Sequence, residues 1–153
     1  MKKFLVPLIL TPALLASCST GGAPAPATPK VLTETANISV TRIDVRTSAV
    51  DVGKVTLNIT APGKVVLTFS GDGVPDTGDR LVLAASDESK TWGVNDGNVS
   101  IKASGSFSHT RSYTYSAAVG PKTFYAVAQN YVDTKGNGQA SIYATLSATF
   151  YPN

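Results

Sequence analysis

His109 is the only histidine in the chain and Cys18 the only cysteine, so any chemistry must be built around very few reactive groups. A histidine base needs a nucleophile within hydrogen-bond reach and a carboxylate to orient its ring. His109 stands in Phe107-Ser108-His109-Thr110-Arg111. Neighbours on one strand point to opposite faces, so Ser108 cannot readily meet it. The pattern favours a surface or strand-end histidine, and a small hydrolase using His109 with an Asp ranks last of three functional readings. One histidine also excludes a multi-histidine metal centre, and one cysteine excludes a disulfide framework or a thiolate zinc site.

The best place for a hard cation is residues 71–79, Gly-Asp-Gly-Val-Pro-Asp-Thr-Gly-Asp. Ca²⁺ takes roughly six to eight oxygens, and Asp72, Asp76 and Asp79 converge on one if this stretch is a loop that folds back. The spacing lacks the closing Glu of an EF-hand, and Asp and Gly are also the ordinary residues of turns. No motif requires a cofactor. Nine of the twelve aromatic residues lie after residue 106, which concentrates any stacking surface in the C-terminal part. Exposed Tyr and Trp stack on sugar rings or anchor a protein partner. Trp92, in a polar, Gly-rich stretch, and Tyr113 and Tyr115, which share a face, are the candidates for ligand contact. Phe69, Phe124 and Phe150 have the parity of core residues instead. Three N-x-[ST] sequons, at Asn37, Asn58 and Asn98, arise freely in strands rich in Ser, Thr and Asn.

The elements that position these residues follow a period of two. Ile38 and Val40 alternate with Asn37, Ser39 and Thr41, and Ile43 and Val45 continue in the opposite parity, which implies a bulge or turn near Arg42. Val55, Leu57 and Ile59 lead to the Ala61-Pro62-Gly63 turn. Val65, Leu67 and Phe69 follow, closed by Gly71-Asp72-Gly73. Leu81, Leu83 and Ala85, then Val99, Ile101 and Ala103, then Tyr113, Tyr115 and Ala117 form further runs. Phe124, Ala126 and Ala128 alternate with Tyr125 and Val127, a strand buried on both faces. Ile142 to Phe150 is the longest regular run, and residues 87–90 suit a single helical turn. Eight or nine strands in about 120 residues predict an all-β protein, an antiparallel two-sheet β-sandwich, with a jelly roll preferred over an immunoglobulin-like arrangement.

Two local patterns resemble a known family. Ala61-Pro62-Gly63-Lys64-Val65-Val66-Leu67-Thr68-Phe69-Ser70-Gly71 resembles an early strand of C1q- and TNF-like jelly rolls. Ser112-Tyr113-Thr114-Tyr115 with Gly120-Pro121-Lys122-Thr123-Phe124-Tyr125-Ala126-Val127 is similar to their turn-then-aromatic-strand pattern. The resemblance spans most of residues 35–151. It implies a trimer packed through the C-terminal aromatic strands. No collagen-like stalk is present, the aromatics do not map one for one, and no functional residue carries over.

The N-terminus addresses the chain. Met1-Lys2-Lys3 precedes an apolar run over residues 4–15, interrupted by Pro7 and Pro12. Twelve helical residues reach only about 18 Å, short of the roughly 30 Å hydrocarbon core, so the run reads as a signal peptide rather than a span. It ends in Leu15-Ala16-Ser17-Cys18, which resembles the lipobox of bacterial lipoproteins. That resemblance covers residues 1–20. It implies cleavage between Ser17 and Cys18 and lipidation of Cys18, palmitate being a typical acyl group. Residue Ser19 is similar to an outer-membrane sorting signal if the cell has two membranes. Residues 1–17 are then signal peptide. Residues 18–30 are a lipidated Cys and a Pro/Gly/Ala tether, and residues 31–153 the sandwich.

With Lys2 and Lys3 removed, 11 basic residues face 10 acidic ones, a formal charge of +1. Nothing is left to attract nucleic acid. The leading expectation is a membrane-anchored envelope lipoprotein with a non-catalytic sandwich that binds a protein partner or self-associates. A carbohydrate- or surface-binding module is the alternative.

Overall fold

The computed structural model describes residues 30–44, 48–91, 97–132 and 139–153. Eight strands form: β1 (Leu32–Asp44), β2 (Val50–Ile59), β3 (Gly63–Pro75), β4 (Asp79–Ser86), β5 (Val99–Ile101), β6 (Gly105–Tyr115), β7 (Gly120–Val132) and β8 (Gln139–Pro152). They make two antiparallel four-stranded sheets, ordered β1-β8-β3-β6 and β2-β7-β4-β5. The pairs β1/β8, β2/β7, β3/β6 and β4/β5 nest inside one another, so the chain is one long hairpin wound round a core. That winding is a jelly roll, and the preference over an immunoglobulin-like arrangement holds.

The core follows from parity. From the first sheet come Ile38, Val65, Leu67, Phe69, Phe107, Ile142, Leu146 and Phe150. They meet Val55, Leu57, Ile59, Leu81, Leu83 and Phe124 of the second. Phe69, Phe124 and Phe150 are fully buried, as their spacing predicts. Ala85, Ala126, Ala128 and Ala148, also buried, make room for the three rings. Phe69 meets Phe107 edge-on at 4.9 Å, a favoured aromatic geometry. Val127 is buried and Tyr125 half-buried on the outer side of β7, so that strand is covered on both faces.

The bulge foreseen near Arg42 is present. Val40 pairs with Ile142 but Ile43 with Ala140, one residue too many on β1, and Arg42 takes φ 56° to absorb it.

Three expectations are corrected. Residues 71–79 are not a loop, because β3 runs through Gly71, Asp72 and Gly73 to Pro75. Gly71 faces Ala144 of β8, and a Cβ there would collide with the Tyr143 carbonyl oxygen and the Ala144 backbone. Its glycine thus marks a close approach of two paired strands rather than a turn. The turn comes later, where the Asp79 N–H donates to the Asp76 carbonyl at 3.0 Å and Gly78 supplies φ 86°. Second, β6 begins at Gly105 and takes in Phe107 and His109, so His109 sits in mid-strand and is buried, not at a surface or strand end. Its polar neighbours Ser108 and Thr110 hid this, because they are the outward half of the same alternation. Third, residues 87–90 form no helical turn. They form a bend and a turn in which Lys90 takes φ 56°.

Candidate functional site

Alternation along β6 sends Phe107, His109, Arg111, Tyr113 and Tyr115 toward the opposite sheet, buried or half-buried in turn. The Tyr113 hydroxyl accepts the Asp87 N–H at 3.1 Å, its ring lies 6.1 Å from that of Phe124, and the Arg111 guanidinium covers it at 5.1 Å. Burial, with the Asp87 carboxylate adding to it, raises the Tyr113 hydroxyl above its ordinary 10. Burial and then the Asp87 charge push Tyr115 up to about 12. Lys122 pairs with Asp87 at 3.4 Å. Tyr113 and Tyr115 do share a face, but they pack against the core.

His109 uses its ring structurally. Its Nδ1 accepts the Ala85 N–H at 3.0 Å, and its Nε2 is turned toward Gly97. Burial holds its pKa below the ordinary 6.5, with the Gly97 contact opposing in part. With Nδ1 taken, the neutral ring has no acceptor left for a nucleophile's proton.

The three aspartates go three ways. Asp72 is on the outer face of β3 and accepts Ser106 Oγ at 2.7 Å. Asp76 stands at the β3–β4 turn, its N–H donating to the Gln139 carbonyl at 3.1 Å. Asp79 is buried at the start of β4 and accepts Asn130 Nδ2 at 2.9 Å. Among the described residues no three His, Cys, Asp or Glu side chains stand close enough to hold a metal ion. Ser17, Cys18 and Trp92 lie outside the described residues.

A shallow groove of about 510 Å³ lies over the β2 bulge, lined by Asp51, Val52, Gly53, Lys54, Ser89 and Tyr125. Both Asp51 oxygens are occupied, by Ser89 Oγ and the Lys90 N–H, each at 2.6 Å. The groove therefore ties the end of β4 to the sheet margin.

The most distinctive surface is the outer face of the β1-β8-β3-β6 sheet. On β1 it presents Thr33, Thr35, Asn37 and Ser39, and on β6 Ser106, Ser108, Thr110, Ser112 and Thr114. Between them β8 contributes Ser141, Thr145, Ser147 and Thr149, and β3 contributes Thr68 and Ser70. Side chains pair across strands: Thr33 with Thr149 at 3.1 Å, Thr68 with Thr110 at 3.4 Å, and Thr145 Oγ1 donating to Asn37 Oδ1 at 3.3 Å. Strand geometry spaces such groups about 4.8 Å across the sheet and about 6.8 Å along it. The charged side chains of this face are Lys64 and Asp72, one beside each exposed tyrosine of β8, and Arg42, whose Nε donates to Gln139 Oε1 at 3.0 Å. Those tyrosines, Tyr151 and Tyr143, are 48% and 46% exposed, far more than a packing role needs. Parity could have found them, since each adjoins a core residue, Phe150 or Ile142, on the same strand.

No family model matches the chain, and no curated protein matches it. Among solved structures it is similar to part of the dimeric latent PorU from Porphyromonas gingivalis, at 14% identity and a TM-score of 0.41. The match covers 86% of this chain and 14% of that one, so the chain spans about a seventh of that protein's length. At that similarity the likeness carries no functional information.

Proposed function

We propose that the chain is a lipid-anchored, non-catalytic binding module of the bacterial envelope, and that it holds a neutral glycan on the outer face of the β1-β8-β3-β6 sheet. The observation that carries this reading is the face itself: a hydroxyl array over four strands with few charges, and exposed Tyr143 and Tyr151 toward its two ends. Hydroxyls in fixed rows match a polyhydroxylated polymer, and tyrosine rings offer sugar rings an apolar platform with a polar rim. The scarcity of charge gives ionic partners little to hold. The occupied Nδ1 of His109 supports a non-catalytic role. The lipobox-like residues 15–18 and the tether support presentation from a membrane, the outer membrane in a cell that has two.

Retention on insoluble neutral polysaccharides and on cell-wall material tests the reading. The chain should be retained by at least one, and the Tyr143→Ala/Tyr151→Ala double variant should bind a few-fold to about tenfold more weakly. No retention on any of them would end the glycan reading. Equal retention of the double variant would move the site off this face.

Binding of a protein partner or self-association is the second reading. The margins β1, β2 and β6, of 13, 10 and 11 residues, each pair on one side only and so offer backbone to another strand. A stable trimer by light scattering, the form the C1q/TNF-like resemblance implies, would favour it.

A further inference from the structure

The β4–β5 ladder consists of Leu81↔Ile101, Val82↔Ser100 and Leu83↔Val99, and goes no further. Continued in register, the next position of the same kind would pair Ala85 with Gly97. In its place stands a side chain from the other sheet. The His109 imidazole accepts the Ala85 N–H on Nδ1 at 3.0 Å and turns its other nitrogen toward Gly97. Nε2 is the nitrogen on the Gly97 side, 3.8 Å from where a Cβ on that residue would be. The ring thus stands in for one rung, accepting from β4 on Nδ1 with Nε2 facing the chain that enters β5, so the neutral ring must be the Nε2–H tautomer.

The replacement depends on charge. An imidazolium donates from both nitrogens, so a protonated His109 would set an N–H against the Ala85 N–H in a buried site. No nearby described group compensates. Arg111, next on the same face of β6, lies over Tyr113, and the residue opposite on β3 is Phe69. Strand β4 offers Ala85, with Asp87 beyond it engaged by Lys122, and β5 offers Val99 and Ile101. Only three register pairs hold β5 to β4, and Val99 and Ile101 of β5 are half-buried against the core.

We propose that His109 is a proton-operated rung of the jelly roll: uncharged, it joins β4 to the chain entering β5, and protonated, it releases that edge. The device stands apart from the glycan face, which lies on the outer side of the other sheet.

Amide hydrogen exchange of the whole chain tests it. As pH falls below about 6.5, the Ala85 amide and those of β5 should lose protection by up to about tenfold per pH unit, after correction for intrinsic exchange. Amides of β8 should hold theirs. His109→Gln brings an acceptor and a donor that do not titrate, so protection at Ala85 should become independent of pH. The same acid loss in His109→Gln, or none in the wild type, overturns the proposal. Ring nitrogen shifts of the wild type need no variant. An unprotonated Nδ1 above about pH 7 supports the rung, and a proton there overturns it.

Discussion

At the residue scale, the polar side chains turned inward along β6 act on the fold. Tyr115 is the clearest case. Its hydroxyl is raised in the folded chain to about 12, against 10 when unfolded. A raised group contributes stability that is fully present below the unfolded value and is lost as pH rises through the folded one. The thermal midpoint should therefore fall between about pH 10 and pH 12. Tyr115→Phe, which cannot ionise, should lessen that fall, with the phenolate absorbance of the wild type reporting the late-titrating group. An unchanged alkaline profile in Tyr115→Phe would assign the loss to other residues. His109 obeys the opposite sign, since burial lowers it. The unfolded chain takes the proton first, and the contribution of His109 declines as pH falls below about 6.5.

At the element scale, β3 continues past residue 70 because Gly71 has no side chain where β8 comes closest. Gly71 lies against Ala144 and the Tyr143 carbonyl of β8, in the middle of the first sheet. Gly71→Val should therefore destabilise the protein although valine is the better strand former, because the partner there is backbone and cannot yield. The cost should be about 1–3 kcal/mol, the usual range for overpacking, read from denaturant midpoints at constant slope. A neutral or stabilising result would mean that β3 and β8 separate more easily than their register suggests. Strand preference ranks glycine as a stop, and for that reason residues 71–73 read as a turn in the sequence.

At the scale of the whole molecule, the proposed glycan face and the proposed membrane anchor would reinforce each other. Weak contacts to a repeating polymer gain from being held near it, since tethering raises the effective concentration of the module. Cys18→Ala should move the chain from the membrane fraction to the soluble fraction while leaving thermal stability unchanged, because the jelly roll starts at Leu32. Fractionation with a palmitate label reads the first effect, and a thermal melt of the variant the second. Persistence of the variant in the membrane would show that something other than Cys18 holds it there.

The amino-acid sequence by itself determined most of the strands and their inward faces, though not the reach of β3 through Gly71 to Pro75 or the start of β6 ahead of His109. Period-two alternation decides locally which side chains are apolar and inward, so the core of Phe69, Phe124 and Phe150, the bulge at Arg42 and the class of the fold were legible in it. Partners are a different matter. Strand β1 joins β8 more than a hundred residues away, as in Leu32↔Phe150, and such pairings are chosen collectively by how all eight strands close round one core. Only the tertiary structure could therefore send Asp72 and Asp79 to different surroundings, assemble a hydroxyl face from four distant segments, and set His109 between Ala85 and Gly97. Each depends on which strand lies beside which, and no local pattern of residues carries that information.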